Sequence, residues 1–217
     1  MTKEQMTIHQ ALSELKMLGK RICEQTLGGT FVLAKKASDQ KIKGEPVSAV
    51  TEKMKADYQS ITDLIARRTA IKRAVVLSNA RTEVVIGGST YTVAEAIEMK
   101  RIGVQMKRDL LDVMNQQYRA ARGEVEKHEG DWIEQRAEQY IMAFLQSQPK
   151  EAKVGKDSEV VKKLREDYIS NNTYELVDPL KIGGKIEEYR NWIDTFMSEV
   201  DSALSVSNAT TTIEVEY

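Results

Sequence analysis

Residues 75–100, VVLSNARTEVVIGGSTYTVAEAIEMK, hold the clearest interruption in a chain whose apolar residues otherwise recur at helical spacing. A helical pattern reaches Ser78-Asn79-Ala80, and a short alternating run from Thr82 to Ile86 follows it. Gly87-Gly88 then suits a tight hairpin turn, because both glycines adopt positive φ without a steric penalty. The stretch therefore predicts a helix, a β-hairpin and another helix in succession.

The helix after the hairpin has a well-marked beginning. Thr92-Val93-Ala94-Glu95 matches a capping box, in which the Thr92 hydroxyl accepts from the third helical N–H and Glu95 bonds back to the cap. We therefore expect the third long helix of the chain to begin at this point.

The signature Ser-Asn-Ala-x-Thr-x-(Val/Ile)-x-(Val/Ile) occurs twice, at residues 78–86 and 207–215, and each copy follows a helical pattern. We interpret the pair as two helix-to-strand exits that meet in one small sheet, with a terminal strand over residues 211–217. Asn79 and Asn208 are expected to end their helices, since Asn tolerates the left-handed conformation and its side chain satisfies free backbone groups; a ligand site is the alternative. The candidate junction or interaction residues are Ser78, Asn79, Thr82, Gly87, Gly88, Thr92, Glu95, Ser207, Asn208, Thr211, Ile213 and Val215.

Long amphipathic helices are predicted for most of the remaining sequence from apolar residues spaced three and four apart. The longest has a heptad seam from Val47 to Ser78 and should pair in antiparallel fashion with the helix that follows the hairpin. The expected helices cover residues 7–26, 46–78, 93–125, 132–146 and 158–169. A last helix is expected after Pro179, with its seam at Ile186, Tyr189, Ile193, Phe196, Val200 and Ala203. A short strand is expected at Thr30–Leu33, after a glycine pair, and a solvated linker at residues 148–156.

Composition favours a mainly α fold. The 217 residues are 41% hydrophobic, 30% charged and only 6% aromatic, with 3 prolines, which suits long helices better than a sandwich or a compact α/β enzyme. We predict one elongated domain over residues 1–217: an antiparallel bundle of coiled-coil-like helices with a small antiparallel sheet, hairpin plus C-terminal strand, at one end. Residues 124–176 are interpreted as an inserted helical subregion.

Charge and cysteine content exclude several classes of protein. Thirty-two basic and 33 acidic residues give a net charge of -1, without the basic excess of a broad nucleic-acid surface. Cys23 is the only cysteine, so neither an intramolecular disulfide nor a cysteine zinc cage forms. The sequence has neither a signal-peptide pattern nor an apolar run near the roughly 18 residues that span a bilayer. We expect a cytoplasmic protein that binds neither nucleic acid nor membrane.

Motifs that carry chemistry are missing from the sequence. The glycine pairs do not continue into a phosphate-binding loop, and His9 and His128 do not form a zinc-binding pair at helical spacing. Carboxylates surround His128, yet no Glu-x-x-His motif of a di-metal bundle occurs. We therefore predict no catalytic residues, cofactor, metal or small-molecule substrate; an enzyme built from residues that converge in space is the alternative.

Two segments resemble a family of helical proteins called septicolysin-like. One runs from Leu64-Ile65-x-Arg67 through Ser78-Asn79-Ala80-x-Thr82 and a glycine turn to residues 91–96, YTVAEA. The other runs from Val177-Asp178-Pro179 through an aromatic-rich helix to Asn208-x-Thr210. The resemblance covers about half of the chain and implies two helices that end in Asn-containing exits. It supplies no catalytic residues.

The chain is also similar in style to small structural proteins of tailed phages, many of which join a helical body to a terminal strand. These features predict a non-enzymatic structural or assembly protein, a phage particle component that self-associates through helices and an exposed strand. Its partners would be copies of itself and other protein subunits, and it could enter a virion. The alternative is a cytoplasmic helical binding module or inhibitor that acts on a host protein.

Overall fold

A computed structural model describes residues 3–149 and 154–217 and confirms the mainly α fold with small antiparallel sheets. Helices occupy Ile8–Gly28 (α1), Val47–Asn79 (α2), Val93–Glu98 (α3), Val104–Glu126 (α4), Gly130–Ser147 (α5), Glu159–Asn172 (α6) and Ile182–Thr210 (α7). A π-helical turn, Met99–Gly103, joins α3 to α4. Strands occupy Lys3–Thr7 (β1), Lys41–Ile42 (β2), Glu45–Pro46 (β3), Glu83–Ile86 (β4), Ser89–Thr92 (β5) and Thr212–Glu216 (β6).

The chain divides into two compact units. The first comprises Met1–Gly103 and Asp194–Tyr217, and the second comprises Val104–Ile193. Residues 124–176, predicted as an inserted helical subregion, fall within the second unit. Both copies of the Ser-Asn-Ala signature belong to the first unit.

Three antiparallel two-stranded sheets are present among the described residues: β1 with β6, β2 with β3, and β4 with β5. The predicted hairpin is correct, with Glu83 opposite Thr92 and Ile86 opposite Ser89. The expectation that the C-terminal strand joins this hairpin in one sheet is wrong. Strand β6 pairs instead with β1, a strand that we did not predict from the sequence.

Helix α1 matches its predicted range, but the strand expected after it is absent. Residues Thr30–Leu33 are not part of a strand and pair with no other strand among the described residues. The ring of Phe31 lies so close to Gly29 that a Cβ there would be 2.6 Å from it. A side chain at position 29 would therefore clash with that ring.

Helix α2 is 33 residues long, about 50 Å at 1.5 Å per residue. Its buried face, with Ile61, Ile71 and Val75, packs mainly against α1, whereas its contact with α3 is short. We had predicted that α2 pairs along its length with the helix after the hairpin. Within the first unit, the helix that covers α2 is α1 instead. A heptad pattern marks the face that is buried but does not identify the helix that buries it.

The helix predicted over residues 93–125 is present along this whole length, with one local change. The π-helical turn accommodates wider hydrogen bonding in the middle of the helix, and such turns frequently occur at functional sites. Its residue Lys100 forms an ion pair with Asp201 of α7, with 2.5 Å between Nζ and Oδ1.

The second unit contains α4, α5, α6 and the first part of α7. Stacked rings of Tyr140 and Tyr168, 4.7 Å apart, join α5 to α6, and Arg165 of α6 bonds to Glu134 of α5. The predicted break before α5 is confirmed, because α4 ends at Glu126. Part of the predicted linker, residues 150–153, lies outside the described residues.

Candidate interaction site

The first Ser-Asn-Ala signature fixes the exit from α2 with backbone hydrogen bonds. The carbonyl of Ser78 accepts from the N–H of Thr82 at 2.8 Å, and the carbonyl of Thr82 accepts from the N–H of Val93 at 2.8 Å. Since Val93 is the first residue of α3, the exit from one helix is bonded directly to the start of the next.

The second signature makes the same bonds with a different part of the chain. The carbonyl of Ser207 accepts from the N–H of Thr211 at 2.9 Å, and the carbonyl of Thr211 accepts from the N–H of Ile8 at 2.9 Å. Ile8 is the first residue of α1. The two exits therefore share one bonding pattern, although the helix that receives the second exit lies at the other end of the sequence.

The helices that receive the exits also begin alike. The predicted capping box at Thr92 and Glu95 is present, and a second box joins Thr7 to Gln10. Residues 7–11, TIHQA, and residues 92–96, TVAEA, share the pattern Thr-(Ile/Val)-x-(Gln/Glu)-Ala. This second repeat is the sequence signal for β1 and for its pairing with β6, neither of which we predicted.

The first unit thus contains two copies of one motif: helix, strand, antiparallel strand, helix. Corresponding positions are buried in both copies, namely Ile71 and Val200, Val84 and Ile213, Ile86 and Val215, Ile8 and Val93, and Ala11 and Ala96. In one copy, which we call the hairpin copy, Gly87 and Gly88 join the strands with φ of 57° and 74°. In the other, the terminal copy, no turn joins the strands, which lie near the two ends of the sequence.

The helices that lead into the two copies pack reciprocally. Ile71 and Val75 of α2 share a core cluster with Ile213 and Val215 of β6 and with residues of β1 and α1, although α2 itself continues into the hairpin copy.

Helix α7 continues into the terminal copy but contacts the hairpin copy. Its Phe196 ring meets Tyr91 edge-on, with centroids 5.8 Å apart, and Glu199 accepts a hydrogen bond from the N–H of Gly87 at 2.7 Å.

The predicted junction residues therefore form two sites and not one. Ser78, Thr82, Gly87, Gly88, Thr92 and Glu95 belong to the hairpin copy; Ser207, Thr211, Ile213 and Val215 belong to the terminal copy. Asn79 and Asn208 are partly buried at the two helix ends, but their side chains make no hydrogen bond to a described residue, and neither has positive φ. The expected Asn caps are wrong, because backbone carbonyls of the neighbouring serines receive the exit bonds.

Arg67 of α2 connects the elements of the terminal copy. Its guanidinium donates to Glu14 of α1 (Nε to Oε1, 2.5 Å), to Glu4 of β1 (Nη2 to Oε2, 2.9 Å) and to the hydroxyl of Tyr217. The Arg67 side chain is only 22% exposed, so water weakens these bonds less than those of surface pairs. The hydrogen bond to Glu14 raises the pKa of Arg67, and partial burial opposes this rise.

A second ion pair joins the outer ends of the terminal strands. Lys3 of β1 bonds to Glu216 of β6, the residue directly opposite it in the sheet. This hydrogen bond raises the pKa of Lys3 and lowers the pKa of Glu216. Both groups are exposed, so the pair favours the register of the strands more than it stabilises the fold.

Groups able to carry metal or acid–base chemistry do not converge in the described part of the chain. No cluster of three or more His, Cys, Asp or Glu side chains there has metal-binding geometry. The ring of His128 stacks on Tyr174 at a centroid distance of 3.8 Å, and its Nδ1 lies 2.9 Å from the carbonyl oxygen of Glu124. These contacts join the end of α4 to the segment before α7.

Comparisons with known proteins identify no relative. No family model matches the chain, and neither a curated protein nor a solved structure matches it. The likeness of its two copies to each other is therefore the main internal guide to its organisation. Among the helices of the described residues, none has the length and apolar content required to cross a membrane.

Proposed function

We propose that the protein is a non-enzymatic structural or assembly protein that self-associates through exposed helical faces and the free edge of its terminal sheet. The assembly that we propose for it is a phage particle.

The observation that carries this proposal is the set of large apolar side chains that the folded chain leaves exposed on its helices. Burial of such side chains against a neighbouring subunit removes apolar area from water and favours association by about 25 cal/mol per Å².

The exposed surface includes many large apolar side chains on helices. Met17 of α1, Tyr58 of α2 and Met106 of α4 are each more than 60% exposed. Val76 and Leu77 of α2 line one depression of the surface and are about half exposed, and contiguous exposed apolar side chains of this kind mark interaction surfaces. They therefore favour association with protein over an isolated existence in water.

The terminal strand contributes less directly than its sequence suggests. One edge of β6 is paired with β1 in the same chain, and Ile213 and Val215 are buried. The outer edge of this two-stranded sheet retains free backbone groups that could accept another strand. Helical faces therefore carry most of the proposed association.

A phage particle is proposed as the assembly on the basis of the sequence resemblance to small structural proteins of tailed phages. Mass spectrometry of purified particles encoded by the same genome should detect the chain as a stoichiometric component. Detection only in the lysate, and not in purified particles, would contradict this part of the proposal.

Sedimentation velocity over a concentration series tests self-association itself. We expect the mass to rise above that of one chain within the soluble range. A mass that remains that of one chain at every concentration would overturn the proposal and favour the helical binding module that acts on a different protein.

A further inference from the structure

One side of α2, next to its buried face, combines apolar and basic side chains in one continuous stripe. A groove beside it, which we call the basic groove, has Ile65, Arg68, Lys72, Arg73, Val76 and Leu77 along its length. Ile65, Val76 and Leu77 are 46%, 51% and 48% exposed. These residues line two adjoining depressions of about 330 Å³ and 420 Å³, which share Arg68 and Thr69; residues of α1 complete the lining of the first.

The three cations of the basic groove have no ion pair with any residue in the described ranges 3–149 and 154–217. This distinguishes them from Arg67 on the same helix, which has two carboxylate partners. A cation next to exposed apolar surface is costly to dehydrate unless a counter-charge arrives with the partner. The groove therefore suits an apolar helix that carries acidic side chains.

Helix α4 of this same chain has such a surface. Met106, Leu110 and Val113 recur at helical spacing and are 66%, 46% and 49% exposed. Asp109 and Asp112 lie along one side of this apolar row on the helix, and neither has an ion pair with a described residue. We call these five residues the acidic stripe.

The two surfaces match in length and in charge. Ile65 and Val76 are separated by eleven residues, roughly 16 Å of helix, whereas Met106 and Val113 span roughly 10 Å. The acidic stripe therefore fits within the basic groove, with its carboxylates within reach of the groove's cations. Helix-in-groove recognition with apolar anchors three and four residues apart is a common mode of protein association.

We propose that the basic groove of one copy binds the acidic stripe of α4 from a second copy. This inference rests on the proposed self-association and names its surfaces. Because the two surfaces differ, the contact is heterologous, and each bound copy still has one free surface of each kind. Such contacts continue into a ring or a filament, as an assembly protein requires.

Two variants test this contact. The groove variant, Arg68→Glu with Arg73→Glu, places like charges opposite the acidic stripe. The stripe variant, Leu110→Ser with Val113→Ser, removes the apolar anchors. We expect each variant alone to associate on the order of a hundredfold more weakly than the wild type, because like charges and lost anchors both oppose docking.

A mixture of the two variants is the decisive measurement. The groove variant keeps an intact stripe and the stripe variant keeps an intact groove, so an equimolar mixture should form a complex of two chains that grows no further. The control variant, Lys163→Glu with Arg190→Glu, makes the same charge change at exposed positions of α6 and α7 outside both surfaces and should assemble like the wild type. Unchanged thermal unfolding by circular dichroism shows that each variant is folded.

The outcomes separate this inference from the proposed function. If the wild type assembles and both variants assemble equally well, the groove and stripe assignment is overturned while self-association stands. If the variants are single chains but their mixture forms no two-chain complex, or if the control variant also fails to assemble, the assignment is overturned as well. A wild type that remains a single chain at every concentration overturns both proposals.

Discussion

The hairpin copy and the terminal copy of the first unit share the same sequence motifs, but their two strands are held together differently. Both use a Ser-Asn-Ala-x-Thr exit, a threonine capping box and a small buried core. The hairpin copy holds its strands together covalently, through Gly87 and Gly88. The terminal copy relies on side chains, chiefly Arg67 and the pair of Lys3 with Glu216. Similar packing can therefore depend on a turn in one place and on ionic contacts in another.

Removing residues 212–217 is expected to have the largest effect on this comparison. The deletion exposes the site of Ile213 and Val215, whose burial contributes roughly 3–6 kcal/mol together, a large part of a typical domain stability. The first unit should lose its cooperative thermal transition by circular dichroism. Removal of Tyr217 alone, which leaves β6 intact, is the control and should retain that transition; if the longer deletion melts like the wild type, β6 is not part of the core.

The reciprocal packing predicts that two core substitutions act far away in sequence. Ile71→Ala should cost about 2–5 kcal/mol, and Val200→Ala should cost about 2 kcal/mol for two methyl groups. In hydrogen-exchange measurements, Ile71→Ala should deprotect β1 and β6 first, and Val200→Ala should deprotect β4 and β5 first. If Ile71→Ala instead deprotects β4 and β5 first, and Val200→Ala deprotects β1 and β6 first, then each helix supports the strand that follows it directly.

Arg67→Met should cost about 1–3 kcal/mol, because it removes charge-assisted hydrogen bonds to Glu4 and Glu14. The loss should be confined to the terminal copy, and it should make that copy less sensitive to salt than in the wild type. Chemical denaturation at low and high salt measures both effects. Lys53→Met, which removes from the same helix an exposed cation that has no ion pair with a described residue, is the matched control and should change stability little.

The smallest expected difference concerns pH, because the two capping boxes differ in one residue. Hydrogen bonds from the Thr92 backbone and hydroxyl lower the pKa of Glu95, whereas Gln10 at the corresponding position does not titrate. The Glu95 contribution is present above the ordinary value of 4.5 and is lost as pH falls through the lower pKa of the folded state. An NMR titration should show the start of α3 loosening in acid while the cap at Thr7 is unchanged.

The terminal strands add a second pH effect of their own. Lys3 lowers the pKa of Glu216, so this pair weakens in acid in the same direction as the Glu95 cap. Lys3 has a raised pKa, so its contribution is present below 10.5 and is lost as pH rises through the higher value of the folded state.

Glu95→Gln should remove the acid response at α3 and leave the response at β6. An acid response at α3 that survives this substitution would contradict the assignment.

Local signals in the sequence predicted the helices, the hairpin and the Thr92 capping box, because each depends on residues close together in the chain. The strand at Thr30–Leu33 was predicted wrongly because a strand also depends on residues that are distant in the chain. Its composition suits a strand, but a strand requires a partner that supplies hydrogen bonds, and the described residues supply none there. The Asn caps failed similarly, since backbone carbonyls were available to take that role.

Partners distant in sequence required the tertiary structure. The repeated signature correctly indicated two equivalent exits, yet equivalence alone does not say whether the strands meet each other. They do not: β4 pairs with the strand across its glycine turn, and β6 pairs with β1. The Thr-(Ile/Val)-x-(Gln/Glu)-Ala repeat at residues 7–11 and 92–96 could have indicated this pairing, because it identifies the two helices that receive the exits.

The sequence by itself determined where most of the helices lie, which faces are apolar, and that one exit motif is used twice. Only the tertiary structure decided that α2 covers the terminal copy and α7 contacts the hairpin copy, and that Arg67 acquires two carboxylate partners. The physical reason is range. Caps, turns and amphipathic faces are set within a few residues, whereas the choice of partner depends on shape and charge brought together from distant parts of the chain.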